Sequence, residues 1–233
     1  MMAEVVDGPA EKEKMNLPFD IPLEKIEDIL GIEINGDHVG YDRVIPPRGL
    51  ARVHDISLLR DEVVLAMIKG IPLRGREVYP YRDSQIKIFR TEPYGFDIGQ
   101  TFILEGKILG IMQNLEGKLF SGFSTRGISK MPPVKFYGED AEGEKAIAFY
   151  LPPFVEHQDR VALIDGIHRS YLCGSAGTTI NAVHIYGVSH PLPFDTITWQ
   201  NAALVKEKPS KDKRYVNLRP ELFRDLGAVG IDG

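Results

Sequence analysis

Apolar and polar positions divide the chain into a helical opening, a strand-rich middle and a mixed final third. Leu23, Ile26, Ile29 and Leu30 recur at helical spacing within Asp20 to Leu30, with Pro22 near the start, predicting a short amphipathic helix. A loop-rich stretch follows, marked by Asn35-Gly36 and Pro46-Pro47. The clearest helical pattern runs from Ile56 to Lys69. There Ile56, Leu59, Val63 and Met67 form the buried stripe, Asp55 is placed to cap, and Gly70 ends the run.

From residue 85 the period shortens. Gln85 to Phe89, Thr101 to Leu104, Lys107 to Met112, Lys118 to Phe123, Pro133 to Tyr137 and Ala146 to Leu151 read as strands between turn signals such as Glu105-Gly106 and Glu116-Gly117. Residues 85–151 are therefore expected to form a meandering antiparallel sheet. Next come a strand at 160–164, a helix near 167–173 and a strand from Thr179 to Tyr186, with a short helix starting near Pro220. No regular strand–helix rhythm appears, so the fold class expected is α+β. Residues 1–19 read as a mobile, polar tail and 20–233 as one domain.

Composition narrows the function classes. The 233 residues are 43% hydrophobic, enough for a sizeable core, yet no apolar run approaches the roughly 18 residues of a membrane span. The opening residues lack a signal-peptide pattern, and the single cysteine, Cys173, excludes an internal disulfide and a multi-cysteine zinc site. A cytoplasmic protein is expected. A formal charge of -5 argues against coating nucleic acid, and the basic run Lys206 to Arg214 reads as a solvated loop.

The chemistry concentrates at Val161 to Gly174. A continuous apolar run, Val161 to Ile164, ends in Asp165-Gly166 and then in helical spacing through Tyr171. A loop opening a helix offers unpaired backbone N–H groups at the positive end of the helix dipole, which suits an anion. Arg169 adds a fork of donors for phosphate oxygens, His168 adds a switchable donor, and Asp165 is a candidate magnesium ligand. The plainer reading makes Asp165 an N-cap, Gly166 a turn residue, and His168 and Arg169 first-turn polar groups.

The string Leu163-Ile164-Asp165-Gly166-Ile167-His168-Arg169 resembles the signature of the ParB/sulfiredoxin superfamily, including its DGQHR branch. Ile21-Pro-Leu-Glu-Lys-Ile26 is similar to the short opening of ParB-like domains. The resemblance implies a ParB/sulfiredoxin-like core at 160–187, with 85–151 as a β-rich elaboration. It implies that Gly166, Ile167, His168 and Arg169 hold the phosphates of ATP or another nucleotide, with Asp165 catalytic or on magnesium. The partner implied is a nucleotide or phosphorylated small molecule. The activity implied is ATP/ADP-dependent phosphoryl transfer or nucleotide hydrolysis; the alternative is a non-catalytic DGQHR-type module of DNA modification or defence. Ile167 stands where sulfiredoxins carry their reactive cysteine, so sulfinic-acid reduction is not implied.

Outside the loop, Cys173 and His184 read as core and sheet residues, and Glu24, Glu27 and Asp28 as an acidic helix face. The histidines show no metal-ligand spacing. Tyr171 and Trp199 could stack on a nucleotide base, or could be core or rim aromatics.

Overall fold

The computed structural model describes residues 17–34, 38–114 and 130–232. It is a mixed α/β fold with two five-stranded sheets. In the first sheet, β1 (Ile21–Pro22), β2 (Arg43–Val44), β8 (Lys145–Tyr150), β7 (Val134–Glu139) and β3 (Arg52–Leu58) lie side by side in that order. In the second, the order is β4 (Gln85–Thr91), β11 (Ile180–Tyr186), β9 (Phe154–His157), β10 (Val161–Asp165) and β5 (Asp97–Ile98). A parallel pair, β6 (Phe102–Leu104) with β12 (Ala203–Val205), stands apart.

The apolar runs explain the layering. β8 is buried from Ala146 to Tyr150, on both faces, as its unbroken run Ala-Ile-Ala-Phe-Tyr requires. Ile147 and Phe149 face the main core, shared with Phe154, Val183 and Ile185 of the second sheet; Ala146 and Ala148 face a smaller cluster with Phe136 and Ile45. Helices α1 (Leu23–Leu30) and α2 (Asp61–Lys69) close the main core with Ile26, Val63, Met67 and Ile68.

Three sequence expectations change. The helix read from Ile56 begins only at Asp61, because Arg52–Leu58 pairs along β7 as a strand. Asp55 therefore caps nothing and instead takes His38 Nε2 at 3.2 Å, while Leu59, Val63 and Met67 remain the buried stripe. Residues 107–112 lie in helix α3 (Glu105–Asn114), not in a strand. The strands between 85 and 151 do not form one antiparallel meander: they are shared among all three sheets, and each sheet pairs one of them in parallel with a strand from outside this region. The strand expected at 118–123 and most of the tail at 1–19 lie outside the described residues. Near Pro220 the chain makes a 3-10 turn, Pro220–Leu222.

Candidate functional site

Strand β10 ends in the second sheet and turns directly into helix α4 (Ile167–Ser175). The turn is Gly166, at φ 87° and ψ 21°. A side chain there would be strained in the backbone, and its Cβ would stand 2.6 Å from Pro153 Cβ, so this junction needs glycine twice over. Gly166 itself is the N-cap, with no side-chain cap on the helix. Asp165 is thus not the cap that the plainer reading made it. The first-turn N–H groups carry the positive end of the α4 dipole toward the mouth of β10.

The polar residues of the loop are drawn into the fold. Arg169 donates to Leu151 O at 2.6 Å and to Asp165 Oδ2 at 3.0 Å, and its guanidinium lies 5.0 Å from the Tyr150 ring centroid. The ion pair is only 14% and 9% exposed on its two side chains. His168 is buried, and its Nε2 accepts the Leu104 N–H at 3.1 Å, which ties α4 to the start of α3. That bond needs a neutral ring. Burial, then the charges of Lys107 and Arg169, lower the His168 pKa to about 4, so the ring is neutral at ordinary pH.

Around this junction the fold gathers groups that the sequence pattern did not connect. Asp232 is a second carboxylate near Asp165. Burial raises its pKa, Asp165 adds to the rise, and Arg48, Lys107 and Arg169 pull the other way. Tyr215 is raised by burial, opposed by Arg74 and Arg214 and aided by Asp165. Lys208 is lowered by partial burial and then by Arg214 and Lys107. Lys107, Arg48 and Lys208 are exposed, so the mouth of β10 holds two carboxylates inside a rim of solvated cations. Lys208 and Arg214 belong to the basic run, which the sequence alone made a solvated loop.

Other candidates are accounted for by packing. Cys173 is buried and its thiol is pushed up to about 11 by burial. His184 is buried in β11, stacked on Phe89 at 3.8 Å and joined through Nδ1 to His157 Nε2 at 2.8 Å. Glu27 Oε1 accepts the Ile34 N–H. Tyr171 and Trp199, far apart in the chain, come together with centroids 6.5 Å apart. Among the described residues no group of three or more His, Cys, Asp or Glu side chains could hold a metal ion. No described helix is long and apolar enough to cross a membrane. No protein-family model, curated protein or solved structure matches the chain.

Proposed function

We propose that the β10–Gly166–α4 junction binds an anionic, phosphate-bearing ligand, a nucleotide or a phosphorylated small molecule. The observation that carries this reading is the α4 N-terminus, free of any side-chain cap, opening beside the exposed cation Lys107. Backbone N–H groups of the first turn would take the phosphate oxygens, and Lys107 with Lys208 would neutralise their charge. Arg169 would act by holding the loop in place through Leu151 and Asp165. In this reading the junction is ParB/sulfiredoxin-like and the protein works in the cytoplasm.

Magnesium fits this donor set only as part of the ligand. Asp165 and Asp232 supply two carboxylates, the number a phosphate-borne magnesium uses, and the remaining oxygens would be those of the phosphates. For turnover the residues are less suited. A phosphoryl transfer needs a carboxylate or imidazole free to orient a nucleophile. Asp165 is engaged by Arg169, and the lone pair of His168 is engaged by Leu104. These two bonds favour a binding module over a phosphotransferase or hydrolase.

The test is a thermal-shift and calorimetric screen of inorganic phosphate, ATP, ADP, CTP and GTP, with and without magnesium, on wild type and Lys107→Ala. A ligand at about 100 times its Kd should stabilise the wild type by roughly 2.7 kcal/mol. Failure of every phosphate compound to bind, or binding unaffected by Lys107→Ala, removes the assignment.

A further inference from the structure

A second feature lies at the opposite end of β10, where Val161 rather than Asp165 lines the surface. Over the four steps from Val161 to Asp165 a strand advances roughly 13 Å, so the two places are separate. A cleft of about 640 Å³ opens there, within the roughly 300–1,000 Å³ typical of small-molecule sites. Its walls are Tyr94, Tyr171 and Trp199; Asp97, Arg160 and Gln200 supply polar edges.

Two of the three aromatic walls, Trp199 and Tyr94, are held by hydrogen bonds before any ligand arrives. Trp199 Nε1 donates to Phe96 O at 2.9 Å. The Tyr94 hydroxyl donates to Tyr171 O at 3.2 Å and meets Ser175 Oγ at 3.1 Å. The Tyr94 ring also lies flush on Gly174, where an added Cβ would come within 2.4 Å of it. Tyr94 and Trp199 meet edge to face at 5.0 Å, while Tyr171 and Trp199 are 28° from parallel. The cleft thus presents two nearly parallel aromatic faces, braced by a third ring, with Trp199 and Tyr94 already ordered.

We infer that this cleft is a stacking site for a nucleobase, distinct from the anion site at Asp165. Near-parallel faces suit a flat guest, and the amide of Gln200 with the hydroxyl of Thr198 suits its polar edge. An organic cation is the obvious competitor for aromatic walls. The charge balance is against it: Asp97, the carboxylate lining the cleft, already pairs with Arg160 at 3.1 Å and accepts from Thr196 at 3.3 Å, and Arg160 would repel a cation. The base could be that of a free nucleoside or of a single-stranded nucleic acid; both present the same ring.

Trp199 is the chain's only tryptophan, so its fluorescence reads this cleft and nothing else. The experiment titrates the full chain with adenosine, guanosine, cytidine and uridine, with short single-stranded oligonucleotides, and with choline. Nucleosides carry no phosphate, so their binding is independent of the anion site and survives its failure. Saturable quenching by nucleosides, weakened roughly fivefold to 100-fold in Tyr171→Leu, is the expected result and points to a free base. Quenching by oligonucleotides alone, weakened in the same variant, also supports the stacking site and assigns it to a strand. Tyr94→Phe, which keeps the ring and removes its hydroxyl bonds, should weaken binding less than Tyr171→Leu does. Absence of saturable quenching, saturation by choline alone, or quenching unchanged in a Tyr171→Leu protein with wild-type circular dichroism would overturn the inference.

Discussion

Two carboxylate–arginine pairs anchor neighbouring strands of the second sheet, and they are built to different ends. In the first, Glu156 of β9 meets Arg224 through both carboxylate oxygens, at 2.8 and 2.9 Å. Tyr81 and Gln158 donate to the same carboxylate, and the remaining Arg224 donors reach His190 O, Pro191 O and Leu222 O. The side chains are 1% exposed or less, so this saturated pair fastens the chain around 190–224 to the sheet and has nothing left to offer a ligand. In the second, Asp165 and Arg169 share one contact at 3.0 Å and stand inside the β10 mouth, beside a second carboxylate and exposed cations. A fully compensated pair holds a fold. A partly compensated pair beside charged neighbours holds a loop whose electrostatics can still respond to what binds there.

The largest effect expected from breaking this comparison is in the sealed pair. Arg224→Met leaves Glu156 charged, buried and short of two donors, which should cost roughly 3–5 kcal/mol in urea denaturation. A loss below about 1 kcal/mol would show that the saturated network contributes no more than a surface pair. Arg169→Ala comes next. It strips a partner from Leu151 O and Asp165 and a cation from Tyr150, and should cost roughly 1.5–3 kcal/mol. Lys107→Ala, on an exposed side chain, should change stability by no more than about 0.5 kcal/mol while weakening phosphate binding. If the two variants exchanged these phenotypes, Arg169 rather than Lys107 would be the ligand-facing cation.

The contrast also explains what the sequence made legible. β10, Gly166 and α4 could be read because a continuous apolar run, a glycine and a helical period follow one another within fifteen residues. The helix at Glu105–Asn114 was missed because Ile108, Leu109, Ile111 and Met112 satisfy helical spacing as readily as a short buried run. The strand at Arg52–Leu58 was missed because its partner, β7, lies some eighty residues away, and pairing of that kind leaves no local trace. The same reason hid Asp232, Tyr215 and Lys107 from the site and Tyr94 from the aromatic cleft. The loop residues were found, but their partners, Leu151, Leu104 and Tyr150, come from other strands, and those partners decide whether a donor is free.

Acid offers a third way to probe the same loop. Burial lowers the pKa of His168 and of His184 to about 4, against about 6.5 in the unfolded chain. Both are therefore neutral when folded, and their contribution is fully present above pH 6.5. As the pH falls from 6.5 toward 4, the unfolded chain takes up protons that the folded chain does not, and stability drops. The slope should approach about 1.4 kcal/mol per pH unit for each histidine. His168→Gln keeps an acceptor for the Leu104 N–H but removes one titrating group. Denaturation midpoints measured between pH 7 and 4.5 should then fall less steeply than in the wild type. Parallel curves would mean that His168 is solvated enough to titrate normally.

Asp165→Asn should disturb stability only modestly and function most sharply. Asparagine can still accept from Arg169, and Gly166 rather than residue 165 caps α4, so no helix cap is lost. The cost is the charge of a largely buried pair, roughly 1–3 kcal/mol. Its effect on binding depends on how the anion is held. If phosphate is bound by backbone N–H groups and the cationic rim alone, removing a nearby negative charge should tighten inorganic phosphate and metal-free ADP. If magnesium enters with the nucleotide and rests on Asp165 and Asp232, the same change should weaken ADP in the presence of magnesium while still tightening it without. Calorimetry of ADP with magnesium and with a chelator separates the two, because the sign of the change differs between them. Unchanged affinity in both conditions would place Asp165 outside the reach of the ligand. It would then belong with Glu156 as a carboxylate whose only task is to hold an arginine.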